Sequence, residues 1–283
     1  MRTVGFSLAG DAHTRCNMLR LDLADGTTLA ITDHDQDIAF DLGDGSASYT
    51  ARTGILSSDL SLAVGFEGAD IEVNGPIGDV VTRAAVLGGR YDDAVARFFQ
   101  VNWQSPASGS INLLQGRVAL AEVMGGQFRL TIQGEVTRFA QTIGRVITGY
   151  CDADFGDARC GLTVVPLAAV VTSVTDERAF TVSFTGTYAD DYFNKGTVTF
   201  TSGALNGCRP VEVFDFTGGT DTGQVALWAD LPEAPAVGDA LELRQGCGKT
   251  RADCMAFANV VNFRGFPDVP GTDQVLRYPN PGA

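Results

Sequence analysis

The chain has 283 residues, with 20 Lys and Arg against 34 Asp and Glu, a net charge of −14. Its apolar fraction of 45% excludes a disordered chain, and its length suffices for one large or two medium domains. The acid excess, with no cluster of Lys or Arg, excludes a protein that grips nucleic acid by neutralising phosphates.

Val4 to Gly10 is an apolar run cut off by Asp11, too short for a secretory signal. No run approaches the ~20 apolar residues of a membrane-spanning helix. The chain is therefore expected to fold in a reducing cytoplasm, where its six cysteines read as metal ligands before disulfides.

The N-terminal region reads as antiparallel sheet. Leu19, Leu21 and Leu23 alternate, Asp25-Gly26 turns, and Leu29 and Ile31 alternate back. A second turn is expected at Asp44-Gly45. A third hairpin turns at Gly125-Gly126, between Val118, Leu120 and Val123 on one side and Phe128, Leu130 and Ile132 on the other. Asp79 to Leu87 and Glu135 to Ile143 carry helical spacing. Leu167 to Leu243 is a second block of alternating residues, among them Val170, Thr172 and Val174, then Phe180, Val182 and Phe184. Frequent Gly, Asp and Pro punctuate it, which suits a small barrel or sandwich. Arg251 to Asn262 reads as a short helix, and Phe263 to Ala283 as an extended tail whose aromatics dock on its own chain or a neighbour. The expected fold is mainly β: two or more small barrel or sandwich domains with a few short helices, joined at a cysteine-ligated metal cluster. The predicted boundaries are 1–148 for a first β domain, 165–243 for a second β-barrel domain, 149–164 with 244–262 for the junction, and 263–283 for the tail.

The cysteines carry the chemical signal. Cys151 and Cys160 stand nine positions apart, Cys247 and Cys254 seven, and the two pairs bracket the second sheet block. The ends of a compact β domain lie close together, so the four sulfurs are expected to meet. Zinc knuckles prefer ligands two to four residues apart, which fits these pairs poorly. A four-iron cluster accepts thiolates from wider loops, and Gly156, Gly246 and Gly248 suit such loops. Spacing alone leaves iron–sulfur, zinc, and free or bridged thiols open. Cys16 and Cys208 have no partner at useful spacing. Cys16 reads as a buried structural thiol, and Cys208, after Asn206-Gly207, as incidental to a turn.

Other motifs fail. Gly248-Lys249-Thr250 lacks the earlier glycine of a phosphate loop, since position 243 is Leu. Asp33, Asp35 and Asp37 lack the glycine and glutamate of a calcium loop. His34 and His13 complete no Ser/His/Asp set, and His34 reads as a hydrogen-bonded structural residue. Trp103 reads as core or interface. No catalytic residue is predicted, and the chain is not expected to be an enzyme.

Several stretches carry a resemblance: Thr32-Asp33-His34-Asp35; Gly89-Arg90-Tyr91-Asp92 with Val101-Asn102-Trp103; Cys151 through Phe155-Gly156-Asp157-Ala158-Arg159 to Cys160; Thr201-Ser202-Gly203; Gly246-Cys247 through Cys254; and Asn262-Phe263-Arg264-Gly265-Phe266-Pro267. In this order the chain is similar to the baseplate hub or tail-tip proteins of siphophages and alphaproteobacterial gene transfer agents. The tail-tip protein L of phage lambda looks like a more distant relative. That resemblance implies a four-iron, four-sulfur (4Fe-4S) cluster, with zinc as the alternative, held by Cys151, Cys160, Cys247 and Cys254.

The resemblance also implies a homotrimeric ring at the virion tail tip, assembled in the bacterial host cytoplasm. The ring would adapt a six-fold tube to a three-fold tip and let DNA pass. Its implied neighbours are a distal tail protein ring, the end of a tape-measure protein, a tail-fibre or central tip protein and a tail-associated cell-wall peptidase. The alternatives are an iron–sulfur redox or sensor protein and a zinc-stapled host-surface carbohydrate-binding module.

Overall fold

The computed structural model describes residues 14–43, 45–51, 56–57, 61–62, 69–140 and 143–269. The apolar run 4–10, His13, position 44 of the expected turn at 44–45, residues 141–142 and the tail beyond 269 lie outside the described residues. Two compact units divide the chain: Met1–Thr142 with Ala204–Arg209, and Ile143–Gly203 with Pro210–Ala283.

The first unit is antiparallel sheet. Its strands are β1 (Arg15–Asp22), β2 (Thr28–Thr32), β3 (Ile38–Asp41), β4 (Ser46–Tyr49), β5 (Leu56–Ser57), β6 (Ser61–Leu62), β7 (Ala69–Pro76), β8 (Val95–Asn102), β9 (Ser110–Met124) and β10 (Gln127–Gly134). Eight of them form one sheet in the order β2-β1-β8-β9-β10-β7-β5, with β6 also on β7, while β3 and β4 pair separately. The hairpins predicted at Asp25-Gly26 and Gly125-Gly126 form. Asp25 Oδ1 accepts from Thr27 N at 2.8 Å, closing the first turn. Gly125 and Gly126 both take positive φ, 56° and 84°, the twist that matches two flanking strands.

Strand β1 is buried on both faces. Leu19 and Leu21 enter one core with Ile71, Phe98, Phe128, Leu130 and Ile132. Cys16 and Met18 face the other way, into a smaller core with Tyr49, Phe99 and Val101. In β8 the consecutive Phe98 and Phe99 point to opposite faces, as successive strand residues do, and pair in regular register with Leu19 and Met18, so each serves one of the two cores.

The expected helix over 79–87 is shorter, α1 (Arg83–Leu87). Gly78 N bonds to Val81 O at 3.0 Å in a turn, and Thr82 caps the helix by accepting from Ala85 N. The segment expected to be helical over 135–143 is a 3-10 turn, Glu135–Ala140. Three residues per turn set Val136 and Phe139 along one edge, and both are exposed.

The second unit holds a closed six-stranded barrel. Strands β11 (Leu167–Val174), β12 (Ala179–Tyr188), β13 (Thr197–Phe200), β14 (Val211–Thr217), β15 (Gly219–Leu227) and β16 (Ala240–Arg244) run in the order β11-β12-β15-β14-β13-β16 around it. Phe180, Val182, Phe184, Val198, Phe200, Val213, Phe216, Val225, Leu227, Leu241 and Leu243 are buried. In β11 the buried residues are Ala169 and Val171, while Val170 is exposed. Val170 and Thr172 therefore lie on the outer face, while Val174, beyond a register shift, stands opposite the buried Phe180, so the alternation does not hold one face along the strand.

The helix expected over 251–262 is two pieces, α2 (Arg251–Ala256) and a 3-10 turn at Val260–Asn262. Ala258, at φ 52°, breaks it. Among the described residues, no helix is long and apolar enough to cross a membrane.

Candidate metal centre

Barrel closure explains why residues distant in sequence meet. Strand β11 pairs antiparallel with β16, with Leu167 opposite Leu243. The chain therefore enters β11 and leaves β16 at the same end of the barrel. Cys151 and Cys160 precede β11, and Cys247 and Cys254 follow β16. Gly246 makes the exit possible: a Cβ there would stand 1.8 Å from the Lys195 carbonyl oxygen. Only glycine lets the chain pass that backbone and deliver Cys247 directly beyond it.

The first cysteine loop is organised by one carboxylate. Asp157 Oδ1 accepts from the backbone N–H of Cys160 at 2.6 Å and of Arg159 at 3.0 Å, while its Oδ2 accepts from Asp154 N at 3.2 Å. The Cys160 amide leads the interactions that hold this carboxyl below its ordinary range, with Arg159 beside it. Arg145 and Arg159 both pair with Asp152, at 2.7 and 3.6 Å, and so brace the chain next to Cys151.

The second loop starts with a capped helix. Thr250 Oγ1 accepts from Asp253 N at 3.2 Å, and α2 then buries Cys254. The loops are joined by backbone and side chain. Cys151 N donates to Lys249 O at 2.8 Å, and Lys249 Nζ donates to the Ala153 carbonyl. Asn259 Nδ2 donates to Cys160 O at 2.7 Å.

Cys151, Cys160, Cys247 and Cys254 line one small cavity, walled by Phe155, Leu162 and Phe257 among others, with no Asp, Glu or His in the lining. All four are free thiols. Burial pushes the Cys254 thiol up, and the sulfurs of Cys247, Cys151 and Cys160 add to that. Burial also pushes Cys247 up, against the N–H that Lys249 donates to its sulfur at 3.4 Å. Four thiolates in such a place require a compensating cation. Among the described residues, no three His, Cys, Asp or Glu side chains converge tightly enough to close on a single metal ion. The donor set is purely soft sulfur, which suits iron–sulfur, zinc or copper(I) and not magnesium or calcium. It fits the group that the sequence resemblance implied.

The remaining sequence candidates are structural. Asp33 accepts from Asn17 N and Nδ2 at 2.8 and 2.7 Å, and Asp37 from Ala51 N at 2.9 Å, so these carboxylates tie loops. His34 Nδ1 lies 3.0 Å from Gln36 N, and its ring stacks 5.0 Å from Trp103. Cys16 is buried in β1, and Cys208 is buried against the Ala84 carbonyl, 3.7 Å away. Lys249 and Thr250 serve the cysteine loops, not a phosphate loop. Asp157 and Asn259 were missed by sequence reasoning. An Asp three residues before a cysteine is a usable signal for the first; the second left none.

Residues 5–163, more than half of the chain, match the family model described as baseplate hub protein, N-terminal attachment domain. The chain belongs to the baseplate hub proteins. A second family model, described as phage conserved hypothetical protein BR0599, matches residues 191–273. A solved chain described as "Virion of native gene transfer agent (GTA) particle" aligns with a TM-score of 0.77 and 27% identity, over 97% of this chain and 94% of that one. No curated protein sequence matches the chain.

Proposed function

We propose that this hub protein is a structural, non-enzymatic subunit of the baseplate at the tip of a phage-type virion tail, with a 4Fe-4S cluster held by Cys151, Cys160, Cys247 and Cys254. The family match over residues 5–163 carries the hub role. Four free thiols lining one cavity with no competing hard ligand support the cluster.

Bound there, the cluster supplies a crosslink. It staples the segment before β11 to the segment after β16, across the 87 positions from Cys160 to Cys247. Closing a long loop constrains the unfolded chain most, so ligation and folding reinforce each other. All four ligands lie in the second unit, so the staple acts within that unit.

Three copies closing head to tail would form a ring between a six-fold tube and a three-fold tip. Its neighbours would be a distal tail ring, the tape-measure end, a central tip or fibre protein and a cell-wall peptidase. The net charge of −14 supports passage of DNA without adhesion, because carboxylates along a lumen repel phosphates.

The test is iron, zinc and acid-labile sulfide per chain after anaerobic purification, with the visible spectrum. Iron and sulfide near four each, lost in Cys247→Ser, support the cluster. Zinc alone, or no metal, removes it and leaves the hub role on the family match.

A further inference from the structure

Asn259 and Thr32 are the buried polar residues among the described ones. Thr32 lies within the sheet of the first unit, whereas Asn259 lines the cysteine cavity. An amide buried against apolar walls is costly unless every group is bonded. Here the bonds run to the cysteines. Asn259 Nδ2 donates to Cys160 O at 2.7 Å and lies 3.6 Å from Cys160 Sγ. Its backbone N donates to Cys254 O at 2.9 Å, and its carbonyl accepts from Cys254 Sγ at 3.2 Å. One residue thus touches a cysteine of each pair. Asn262 Nδ2 donates to Asn259 Oδ1 at 2.8 Å, which fixes the amide with its NH2 toward Cys160.

We infer that Asn259 is the positioning residue of the centre: it sets Cys160 in register with Cys254 and supplies a side-chain N–H to the Cys160 sulfur. This rests on the cluster reading above. A donor to a ligating sulfur disperses its negative charge, favours the reduced form of a cluster and holds the ligand in place. Cys247 Sγ receives a backbone N–H from Lys249 at 3.4 Å, whereas Cys160 Sγ is met by the Asn259 side-chain amide.

The test uses the full chain, purified without oxygen, as wild type, Asn259→Leu and Asn262→Ala. Leucine fills nearly the same volume without a donor or a charge. Iron and sulfide content, the rate of iron loss to a chelator, and the midpoint potential are measured on each, with circular dichroism to confirm the barrel. Asn259→Leu is expected to lose iron about 10–100 times faster and to have a more negative potential. Asn262→Ala, which frees the amide to rotate, should move both in the same direction by less. Wild-type rates and potential in a folded, loaded Asn259→Leu would reduce Asn259 to packing and overturn the inference, with the cluster reading intact. Should Asn259→Leu fail to fold, Asn262→Ala decides between the same two outcomes. A wild type without iron and sulfide overturns both readings.

Discussion

Gly88 and Cys208 meet with no room for a methyl group between them: a Cβ on Gly88 would stand 2.3 Å from Cys208 Sγ and 2.8 Å from the Ala84 carbonyl oxygen. Gly88 ends α1, and Cys208 comes from 204–209, the short segment that belongs to the first unit although it lies between β13 and β14 in sequence. Gly88→Ala should therefore destabilise the first unit by about 1–3 kcal/mol through overpacking. Cys208→Ala in the same chain should recover part of that loss, because the sulfur is the nearest obstacle. Urea unfolding of the two single variants and the double variant measures the coupling; strict additivity would refute the contact.

Asp157→Ala should loosen the loop that carries Cys151 and Cys160. Three backbone N–H groups lose their acceptor, including that of Cys160. With the proposed cluster bound, iron loss to a chelator should rise at least ~10-fold, as for other residues that hold ligands in place. Limited proteolysis should show new cleavage between 152 and 161 with the barrel intact.

The Asp25–Arg90 pair should give the first unit an acid-sensitive increment of stability. Burial alone raises the Asp25 carboxyl, but hydrogen bonds from Thr27 and the Arg90 guanidinium outweigh it and hold the group below its ordinary range. A folded value below the unfolded one means stability present above the unfolded value of ~3.9 and lost as pH falls through the folded one. Arg90→Gln should cost about 0.5–1 kcal/mol near neutrality, and the difference from wild type should close in strong acid. A difference that stays constant with pH would assign the loss to packing.

Phe193→Ala should weaken the barrel by about 3–5 kcal/mol. The ring is buried and meets Phe216 edge-on at 4.9 Å and Tyr188 at 5.3 Å. Thermal unfolding followed by near-ultraviolet circular dichroism checks it, since the signal of this aromatic cluster should melt first.

Strand patterns and turns were legible because they are local. Leu19 and Leu21, then Phe128, Leu130 and Ile132, carry their burial in the period itself, and Gly125-Gly126 carries its turn in its freedom at positive φ. Helix lengths were less legible. Thr82 caps α1 three residues inside the helical spacing, and Ala258 breaks a segment whose spacing continues past it. The alternation of Val170, Thr172 and Val174 does not reveal which face of β11 is buried, because Ala169 gives a weak apolar signal and the register shifts between Val171 and Ser173.

For the candidate site, cysteine spacing singled out Cys151, Cys160, Cys247 and Cys254. Their meeting depends on Leu167 pairing with Leu243, which is a fact of topology and not of spacing. Asn259 was illegible for a related reason. Its partner Cys160 lies 99 positions away, and nothing near either residue announces the other.

Because Leu167 pairs with Leu243, translation dictates when the thiols can meet. Cys151 and Cys160 leave the ribosome long before Cys247 and Cys254 exist. They stay a bare dithiol until the final strand seats against the first. Any ligand that needs all four sulfurs must wait until β16 and the segment after it have been made, and its capture then helps close the barrel. A subunit carrying such a ligand would be one whose second unit was made through Cys254, whereas a chain stalled or truncated before Cys247 could offer only its two early thiols.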